Sequence, residues 1–419
     1  MSIELTTLSN GLRVITDHVS SVDSVALGVW ADVGTRDEDR THNGVAHMVE
    51  HMMFKGTRRR DAIKIAEEVE DVGGQMNAWT SREMTAYHIH LLRQDMPLAL
   101  DILADLLLNS TLPEEEIQRE RQVILQEIGM TNDTPDDLVF DHYQQAAYPG
   151  QALGDPILGR AEVVAKVPRA VMADYIKRFY TPARLVVSAA GNVDHSDFTK
   201  RVEKLFGEMT PGGEPLHVPA RYTGGEKREE KVLEQSHIVL GFQGVSRHED
   251  HYYAAVALSI ILGGGMSSRL FQEVREKRGL AYSVFSFHSS YQDDGQFAVY
   301  AGTGPDSLKD LIPVLCDEIR KAVTTIKAEE LARAKAQMRA GLLMGRESMM
   351  TRAGQQGKQL INFSTVLDVD EKLAHLEAVT VAGVQAMAQR IFAGKPTLAA
   401  LGPLKGLEDF AGITRRLAA

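Results

Sequence analysis

The 419-residue chain carries two pairs of similar apolar segments at nearly the same separation, and this constrains its fold more than any other feature. The matching pairs are residues 25–30 (VALGVW) with 237–242 (HIVLGF), and residues 185–193 (LVVSAAGNV) with 396–404 (PTLAALGPL). Aligning Gly28 with Gly241 gives an offset of 213, and aligning Gly191 with Gly402 gives an offset of 211. Two strand-like pairs at similar offsets indicate an internal duplication, although Val-, Ala-, Leu- and Gly-rich strands also resemble one another by chance.

Residues 210–231, between the two copies, are rich in proline, glycine and charged residues and show no helical periodicity. This composition predicts an exposed linker. The predicted organisation is therefore a first domain at residues 1–209, a linker at residues 210–231 and a homologous second domain at residues 232–419.

Each half mixes strand and helix patterns. Residues 77–91 contain an alternating, β-prone stretch, and residues 95–107 have the spacing of a helix. Residues 113–129 combine an early proline, acidic residues at the N-terminal end and a final glycine, which predicts a helix. Residues 317–341 predict a similar helix in the second half. Strands followed by runs of helices favour an α+β fold over a doubly wound parallel sheet.

Composition excludes several classes of protein. The formal net charge of −11 argues against a nucleic-acid binder, which needs a basic face. The single cysteine, Cys316, excludes a disulfide framework and a multi-cysteine metal site. No apolar stretch reaches the roughly 18 residues of a membrane helix, and no signal peptide is recognised. We therefore expect a soluble, cytoplasmic protein with neither a nucleic-acid nor a membrane partner.

The pentapeptide HMVEH is the most informative motif of the sequence. In a helix, His47 and His51 lie on one face and Glu50 lies beside them. Both imidazoles can then bind one zinc ion, with the Glu50 carboxylate next to the open coordination position. The order H-x-x-E-H is that of the inverted zincins. The alternative is a helix face with two unrelated histidines.

A catalytic zinc ion normally has three protein ligands, so two histidines leave one to be found. Glu120 and Glu127 are seven residues apart and share a face of the predicted helix. The sequence around Glu127 (VILQEIG) is apolar, and an unpaired carboxylate in apolar surroundings is unfavourable, which favours Glu127 as the third ligand. Glu120, between Arg119 and Arg121, could equally be a solvated helix residue.

Three segments in this order resemble the pitrilysin family of zinc peptidases: NGVAHMVEHMMFKGT, GGQMNAWTSREMTAYH and RERQVILQEI. The resemblance covers essentially the whole chain and is greatest to bacterial homologues of the mitochondrial processing peptidase β subunit. It implies two homologous domains that face each other like a clamshell, each an antiparallel-rich mixed sheet covered by helices. It also implies one zinc ion per chain.

The resemblance assigns roles to residues of the first half. It implies His47, His51 and Glu127 as zinc ligands, Glu50 as general base and Glu120 as the family's additional active-site glutamate. Family members bind the substrate backbone along an edge strand after a Gly-Gly turn, which maps to Asn77 and Ala78. Main-chain pairing of this kind needs little sequence specificity. The alternative for Asn77 is a simple turn residue.

The second half lacks the zinc motif, because Ile260, Gly263 and Gly264 fall opposite His47, Glu50 and His51. Its segment REKRGLAYS resembles the family segment whose Arg and Tyr reach the active site, which implies that Arg275 and Tyr282 act there as hydrogen-bond donors. The alternative is a surface charge at Arg275 and a core aromatic at Tyr282.

The segment DLVFD resembles the E-V-V-F-D segment of the processing-peptidase β subunit, whose acids bind a substrate arginine near the cleavage point. This implies Asp137 and Asp141 as the arginine site, and a carboxylate pair suits a guanidinium. Asp137 stands where the family segment has Glu, so its side chain is one methylene shorter. Many acidic helix residues merely face water, which is the alternative.

We therefore expect a zinc-dependent endopeptidase that cleaves short or unfolded peptides, with an arginine preference near the cleavage site. A homodimer is expected, and a catalytic subunit active only with a silent partner is the alternative assembly. A non-catalytic structural subunit is a further alternative, against which the complete set of His47, Glu50, His51 and Glu127 argues.

Overall fold

The computed structural model describes residues 2–212 and 218–418, which form eleven strands and fifteen α-helices. The strands are β1 (Ser2–Thr7), β2 (Arg13–His18), β3 (Ser24–Ala31), β4 (Gln75–Thr80), β5 (Thr85–Leu92), β6 (Leu185–Gly191), β7 (Gly225–Glu230), β8 (Ser236–Gln243), β9 (Ser283–Ser290), β10 (Gly295–Thr303) and β11 (Thr397–Gly402).

The helices are α1 (Val45–Met53), α2 (Ala62–Glu70), α3 (Met96–Asn109), α4 (Glu114–Asn132), α5 (Pro135–Ala147), α6 (Ala161–Val164), α7 (Arg169–Phe179), α8 (His195–Phe206), α9 (Tyr252–Gly263), α10 (Leu308–Ala322), α11 (Ala328–Gly345), α12 (Met349–Phe363), α13 (Val369–Glu377), α14 (Val381–Phe392) and α15 (Phe410–Ala418). A π-helical segment spans Phe271–Glu276.

The strands form two mixed sheets with the same internal order. The first sheet has the order β1-β2-β6-β3-β5-β4, and the second has the order β7-β11-β8-β10-β9. In each sheet one pair is parallel, β2 with β6 and β7 with β11, and the other pairs are antiparallel. The second sheet therefore repeats the first without its N-terminal strand β1. The predicted α+β fold of two related, antiparallel-rich mixed sheets is confirmed.

The repeat is also visible in two glycines at equivalent strand ends. Gly191 ends β6 with a φ of 121°, and Gly402 ends β11 with a φ of 119°. A Cβ on Gly191 would lie 2.4 Å from the carbonyl oxygen of Ser24, and one on Gly402 would lie 2.5 Å from that of Gln235. Only glycine tolerates this combination of backbone angle and close approach, which explains why the sequence match is centred on these positions.

Each sheet covers its own apolar core. In the first unit, side chains of β3, β5 and β6 pack against α1, α2, α3, α7 and α8. In the second unit, side chains of β8, β10 and β11 pack against α9, α10, α14 and α15. The central strands β3 and β10 are buried along almost their whole length, as expected for apolar strands covered on both faces.

The chain divides into two compact units that are discontinuous in sequence. One comprises Met1–Gly129, Asp155–Val218 and Leu343–Leu367, and the other comprises Met130–Gly154, Pro219–Leu342 and Asp368–Ala419. These units differ from the continuous domains predicted at residues 1–209 and 232–419, because each unit includes segments from the other half. Helix α5 packs on β7, β8 and β11 of the second sheet, and α12 packs on β2, β3 and β6 of the first. An amphipathic pattern predicts a helix but carries no information about which of two similar sheets it covers.

Two local predictions are also corrected. Residues 225–230 of the predicted linker form strand β7 at the edge of the second sheet, where an edge position accepts charged side chains. Residues 213–217 of that linker lie outside the described part of the chain.

The single helix predicted at residues 317–341 is two helices, α10 and α11, with a break between them. At the break, the Thr325 hydroxyl donates to the Lys321 carbonyl and the Glu330 carboxylate accepts from the Lys327 amide. These contacts satisfy the backbone groups at the helix ends.

The docking of α12 on the first sheet can be tested at two glycines of that helix. A Cβ on Gly357 would lie 2.9 Å from Cδ2 of Trp30, whereas one on Gly354 would lie 3.8 Å from Cζ2 of the same ring. We expect Gly357→Ala to destabilise the protein by about 1–3 kcal/mol through overpacking. The control Gly354→Ala should be neutral or stabilising by up to about 1 kcal/mol, because alanine favours the helix. Urea unfolding followed by tryptophan fluorescence measures both; equal stability of the two variants would contradict this packing.

Candidate metal centre

Helix α1 is held at its N-terminal end by a buried carboxylate. The Glu38 side chain accepts hydrogen bonds from the backbone N–H of Gly44 at 2.9 Å and of Ala46 at 2.8 Å, and from the Asn43 amide at 3.0 Å. Burial raises the pKa of Glu38 to about 8, while these donors act in the opposite direction. The contacts satisfy orphan amides of the first turn and fix where the helix begins.

The two histidines of α1 lie on adjacent turns of one face. The ring centroids of His47 and His51 are 4.6 Å apart. His47 is buried and His51 is partly buried, while Val45, Met48, Val49 and Met52 face the core. Burial, with a further contribution from His51, lowers the pKa of His47 to about 4. His47 is therefore a neutral imidazole at neutral pH, the form that binds a metal.

Helix α4 brings the third candidate ligand to these rings. The Glu127 Oε2 atom lies 3.8 Å from Nε2 of His47 and 3.8 Å from Nε2 of His51. The three ligand atoms all lie within 4.8 Å of one another. These separations are too long for hydrogen bonds but suit an ion that binds each atom at roughly 2.0–2.2 Å. The donor set of two imidazoles and one carboxylate fits zinc with an open position.

Glu120 lies behind His51. Its Oε2 accepts a hydrogen bond from His51 Nδ1 at 2.9 Å, and its Oε1 lies 2.8 Å from the Lys55 ammonium. Burial acts to raise the pKa of Glu120, but the hydrogen bonds from Lys55 and His51 outweigh burial and hold this pKa below its ordinary value. A carboxylate that accepts from Nδ1 directs Nε2 of the same ring toward the metal. Glu120 therefore has the geometry of a positioning residue, and the catalytic role assigned to it from the resemblance stays a prediction.

The structure corrects the reason that favoured Glu127 over Glu120. The Glu127 side chain is 36% exposed and the Glu120 side chain only 9%, so the apolar sequence around Glu127 does not bury its carboxylate. The apolar neighbours Ile124, Leu125 and Ile128 turn toward the core on other faces of α4. Proximity to both Nε2 atoms, and not burial, distinguishes Glu127.

Glu50 lies on α1 between the histidines, and its carboxyl is largely buried. Burial raises the pKa of Glu50, and the negative charge of Glu127 contributes in the same direction. Its carboxyl also faces the hydroxyl of Thr80, the last residue of β4. The candidate base is thus placed beside the end of an edge strand.

Strand β4 pairs with β5, and its other edge has no partner strand within residues 2–212 and 218–418. Asn77 and Ala78 lie in the middle of β4, with Asn77 exposed and Ala78 packed against the core that includes α1. The Asn77 side chain accepts from the Ala78 amide at 2.8 Å. Both residues are therefore strand residues, and the alternative of a turn at Asn77 is wrong.

The remaining predicted site residues belong to the second unit. Asp137 and Asp141 lie one turn apart on α5, and the negative charge of Asp141 acts on Lys227 of β7. The Arg275 guanidinium lies 5.1 Å from the centroid of the Tyr282 ring. Tyr282 is 76% exposed, so it is not the core aromatic of the alternative interpretation.

Sequence reasoning missed Lys55 and Glu38. Lys55 had a weak signal, since it follows His51 by four residues, the spacing of a shared helix face; in the structure α1 ends at Met53, before Lys55. Glu38 had none, because its carboxylate reaches the amides of Gly44 and Ala46 through a loop whose path no periodic sequence pattern predicts.

Family models match both halves of the chain. Residues 13–161 match the model described as Insulinase (Peptidase family M16), and residues 166–338 match the model described as Peptidase M16 inactive domain. A zinc protease of Streptomyces coelicolor is 40% identical over 418 residues, covering 96% of this chain and 90% of its own length. The chain belongs to peptidase family M16. It is a zinc metalloprotease of that family, and zinc is its cofactor.

Further relatives of this M16 peptidase agree with that assignment. The zinc protease YmxG of Bacillus subtilis is 39% identical, with 95% of this chain and 97% of the relative covered. The crystal structure of a protease from Helicobacter pylori has a TM-score of 0.90 at 24% identity, and covers 96% of this chain and 99% of its own. A peptidase M16 inactive domain from Pseudomonas fluorescens has a TM-score of 0.87 at 21% identity, covering 96% and 98%. These two structures support the two-sheet fold. In the described part of this M16 chain, no helix is long and apolar enough to cross a membrane.

The positioning role of Glu120 predicts a loss of zinc affinity without loss of a ligand. We expect Glu120→Gln to weaken zinc binding by about 10–100-fold. The neutral amide oxygen of Gln accepts the hydrogen bond from His51 Nδ1 more weakly than the carboxylate of Glu120, so the ring is held less firmly. Competition with a chromogenic chelator measures the affinity. Glu115→Gln on the same helix is the control, since the Glu115 side chain is 87% exposed and should not affect zinc. Affinity of E120Q within twofold of the unmodified protein would show that Glu120 does not position His51.

Proposed function

We propose that this M16 peptidase is an endopeptidase that cleaves extended or unfolded peptides, with His47, His51 and Glu127 as zinc ligands and Glu50 as general base. The observation that carries the proposal is the convergence of the three ligand atoms within 4.8 Å, with the Glu50 carboxyl on the same helix and beside β4. Such a constellation serves metal-assisted hydrolysis.

The proposed chemistry divides between the metal and the side chains. Zinc bound by these ligands supplies Lewis acidity toward the scissile carbonyl and lowers the pKa of the attacking water. The Glu50 carboxylate accepts a proton from that water and donates it to the amine that leaves when the C–N bond breaks. The raised pKa of Glu50 makes its carboxylate a stronger base toward that water. Glu120 and Lys55 hold the His51 ring in place meanwhile.

The free edge of β4 supports an extended substrate. A peptide that adds to this edge gains main-chain hydrogen bonds along the stretch that contains Asn77 and Ala78, without a requirement for particular side chains. Because the strand ends at Thr80 beside Glu50, a peptide paired along β4 passes the general base. An unfolded segment can adopt this extended conformation without first losing contacts of its own, so unfolded segments are the proposed substrates.

An arginine preference is the finer part of the proposal. It rests on the resemblance that assigns Asp137 and Asp141 to a substrate guanidinium, for which paired carboxylates are good acceptors. The Lys227 ammonium partly offsets the negative charge of Asp141, which favours a modest preference for arginine. The same resemblance is the basis for the prediction that Arg275 and Tyr282 donate hydrogen bonds to the substrate carbonyl.

The assembly and location are likewise predictions. We propose a homodimer, since the chain contains both the zinc motif and the Arg275 and Tyr282 segment, and we keep a heterodimer with a silent subunit as the alternative. Hydrolysis by the purified chain alone favours the homodimer. The cytoplasm is the proposed location.

Replacing the general base tests the mechanism directly. Glu50→Gln should retain zinc within about threefold and lose at least 10³-fold in kcat/KM toward an unstructured peptide, because proton transfer is removed but the ligands remain. Metal content is measured by mass spectrometry and turnover by cleavage of a quenched fluorescent peptide. Glu67→Gln on the exposed face of α2 is the control. Substantial turnover by E50Q would overturn the assignment of the base.

The arginine preference is tested with the Asp137 and Asp141 variants. A peptide library digested by the unmodified chain, with and without chelator, should show arginine enriched near the cleaved bond. Asp137→Asn together with Asp141→Asn should reduce that enrichment by about three- to tenfold in kcat/KM, the effect of losing a partly exposed guanidinium–carboxylate pair. Asp133→Asn, just before α5, is the control. A library cleaved without regard to arginine contradicts this part of the proposal alone.

A further inference from the structure

At its free edge strand β4, the first sheet has two faces with different side chains: one faces the core that includes α1, and the other faces away from that core. Met76 and Ala78 of β4 pack into the core that includes α1, whereas Trp79 packs with Trp30 and Met349 in a separate cluster on the opposite face. Because side chains alternate along a strand, Asn77 shares the face of Trp79. We call this the outer face of β4. A peptide that adds to β4 presents alternate side chains to it.

At the strand positions of β3, β4 and β5, the outer face has several hydrogen-bonding side chains and no acidic one. Asn77 pairs with His88 of β5, which in turn pairs with Gly28 of β3. A Cβ on Gly28 would lie 2.5 Å from the Tyr87 carbonyl oxygen and 2.8 Å from Cβ of His88, so glycine allows β3 and β5 to approach closely here. The Nδ1 atom of His88 is buried and has no hydrogen-bond partner among the described residues. The strand positions of β3, β4 and β5 on this face are Ala26, Gly28, Trp30, Gln75, Asn77, Trp79, Ala86, His88 and His90.

Helix α12 adds one positive charge to this face. It packs on β2, β3 and β6, and its Gly357 lies against the Trp30 ring. The next residue, Lys358, places its ammonium 4.5 Å from the centroid of the Trp79 ring. No carboxylate within residues 2–212 and 218–418 lies at ion-pair distance from Lys358. The ammonium is thus held by an aromatic face and has no acidic partner.

We propose that Lys358, held on Trp79, is a specificity residue that binds the carboxylate of an Asp or Glu side chain of the peptide substrate. The inference rests on the proposed function, in which the peptide adds to the free edge of β4. In such a pair, the substrate residue opposite Trp79 on the outer face has its Cβ about 4.5–5.5 Å from that of Trp79. Its carboxylate then accepts a charge-assisted hydrogen bond from Lys358, which is otherwise unpaired. Since Trp79 precedes the residue that faces Glu50, the acidic position lies close to the cleaved bond.

The test compares matched peptides. Unstructured quenched fluorescent peptides carry Glu or Gln, one position at a time, at each position within four residues of the bond that the zinc-loaded full chain cleaves. At one position the Glu peptide should have a kcat/KM about three- to fivefold above that of its Gln partner, the size expected of an exposed ion pair. Lys358→Met should bring this ratio to about one, and Lys358→Arg should retain it. Lys358→Glu should favour a Lys peptide instead, and Lys200→Met on α8 is the matched lysine control.

A binding measurement separates this inference from the proposed function. Zinc-loaded E50Q binds the same Glu and Gln peptides, labelled for fluorescence anisotropy, and is compared with E50Q carrying Lys358→Met. A Glu preference in Kd that disappears with Lys358→Met supports the Lys358 site even if the unmodified chain cleaves neither peptide, in which case only the proposed function fails. Equal Kd and equal kcat/KM for Glu and Gln at every position overturn the Lys358 site, as does a preference that K358M leaves unchanged. Failure to bind either peptide overturns both.

Discussion

The approach of α4 to α1 at Glu127 is the contact on which the proposed chemistry of this protein depends. One turn of α1 places two imidazoles on the same face, but two imidazoles are an incomplete site for catalytic zinc. The Glu127 carboxylate completes it from a helix more than sixty residues away in sequence, at 3.8 Å from each Nε2. Glu120, two turns earlier on the same helix, holds the His51 ring through Nδ1. One helix therefore supplies both a ligand and the group that orients another.

The duplicated architecture explains why the candidate metal centre lies in the first half and has no counterpart at the equivalent positions of the second. In the second unit, Gly263 of α9 falls opposite Glu50, and a Cβ there would lie 2.3 Å from the backbone nitrogen of Ser286 in β9. The helix thus packs directly on its edge strand, and no carboxylate fits between them. The same fold that leaves room for catalysis in one copy is closed by packing in the other, in agreement with the description of the matching family model as an inactive domain.

The exchange of α5 and α12 has consequences for both units. Helix α12 covers the first sheet although it follows the second sheet in sequence, and it brings Lys358 to the outer face of β4. Helix α5 covers the second sheet and carries Asp137 and Asp141. Each sheet is therefore completed by a helix from the other half of the chain. The helices that complete the two sheets therefore come from parts of the sequence that no local pattern connects to them.

Much of this protein is determined by its sequence alone, because the signals are local. The i, i+4 spacing of His47 and His51 specifies a shared helix face, and the glycines at 191 and 402 mark the same backbone conformation in both copies. Only the tertiary structure decides the rest. The burial of Glu120, the partial exposure of Glu127 and the place of Lys358 on Trp79 depend on contacts between segments that are distant in sequence. The position of the Glu38 carboxylate at the start of α1 depends on the path of the loop between them. Sequence periodicity indicates which face of a helix or strand is apolar, but it does not indicate which other element packs against that face.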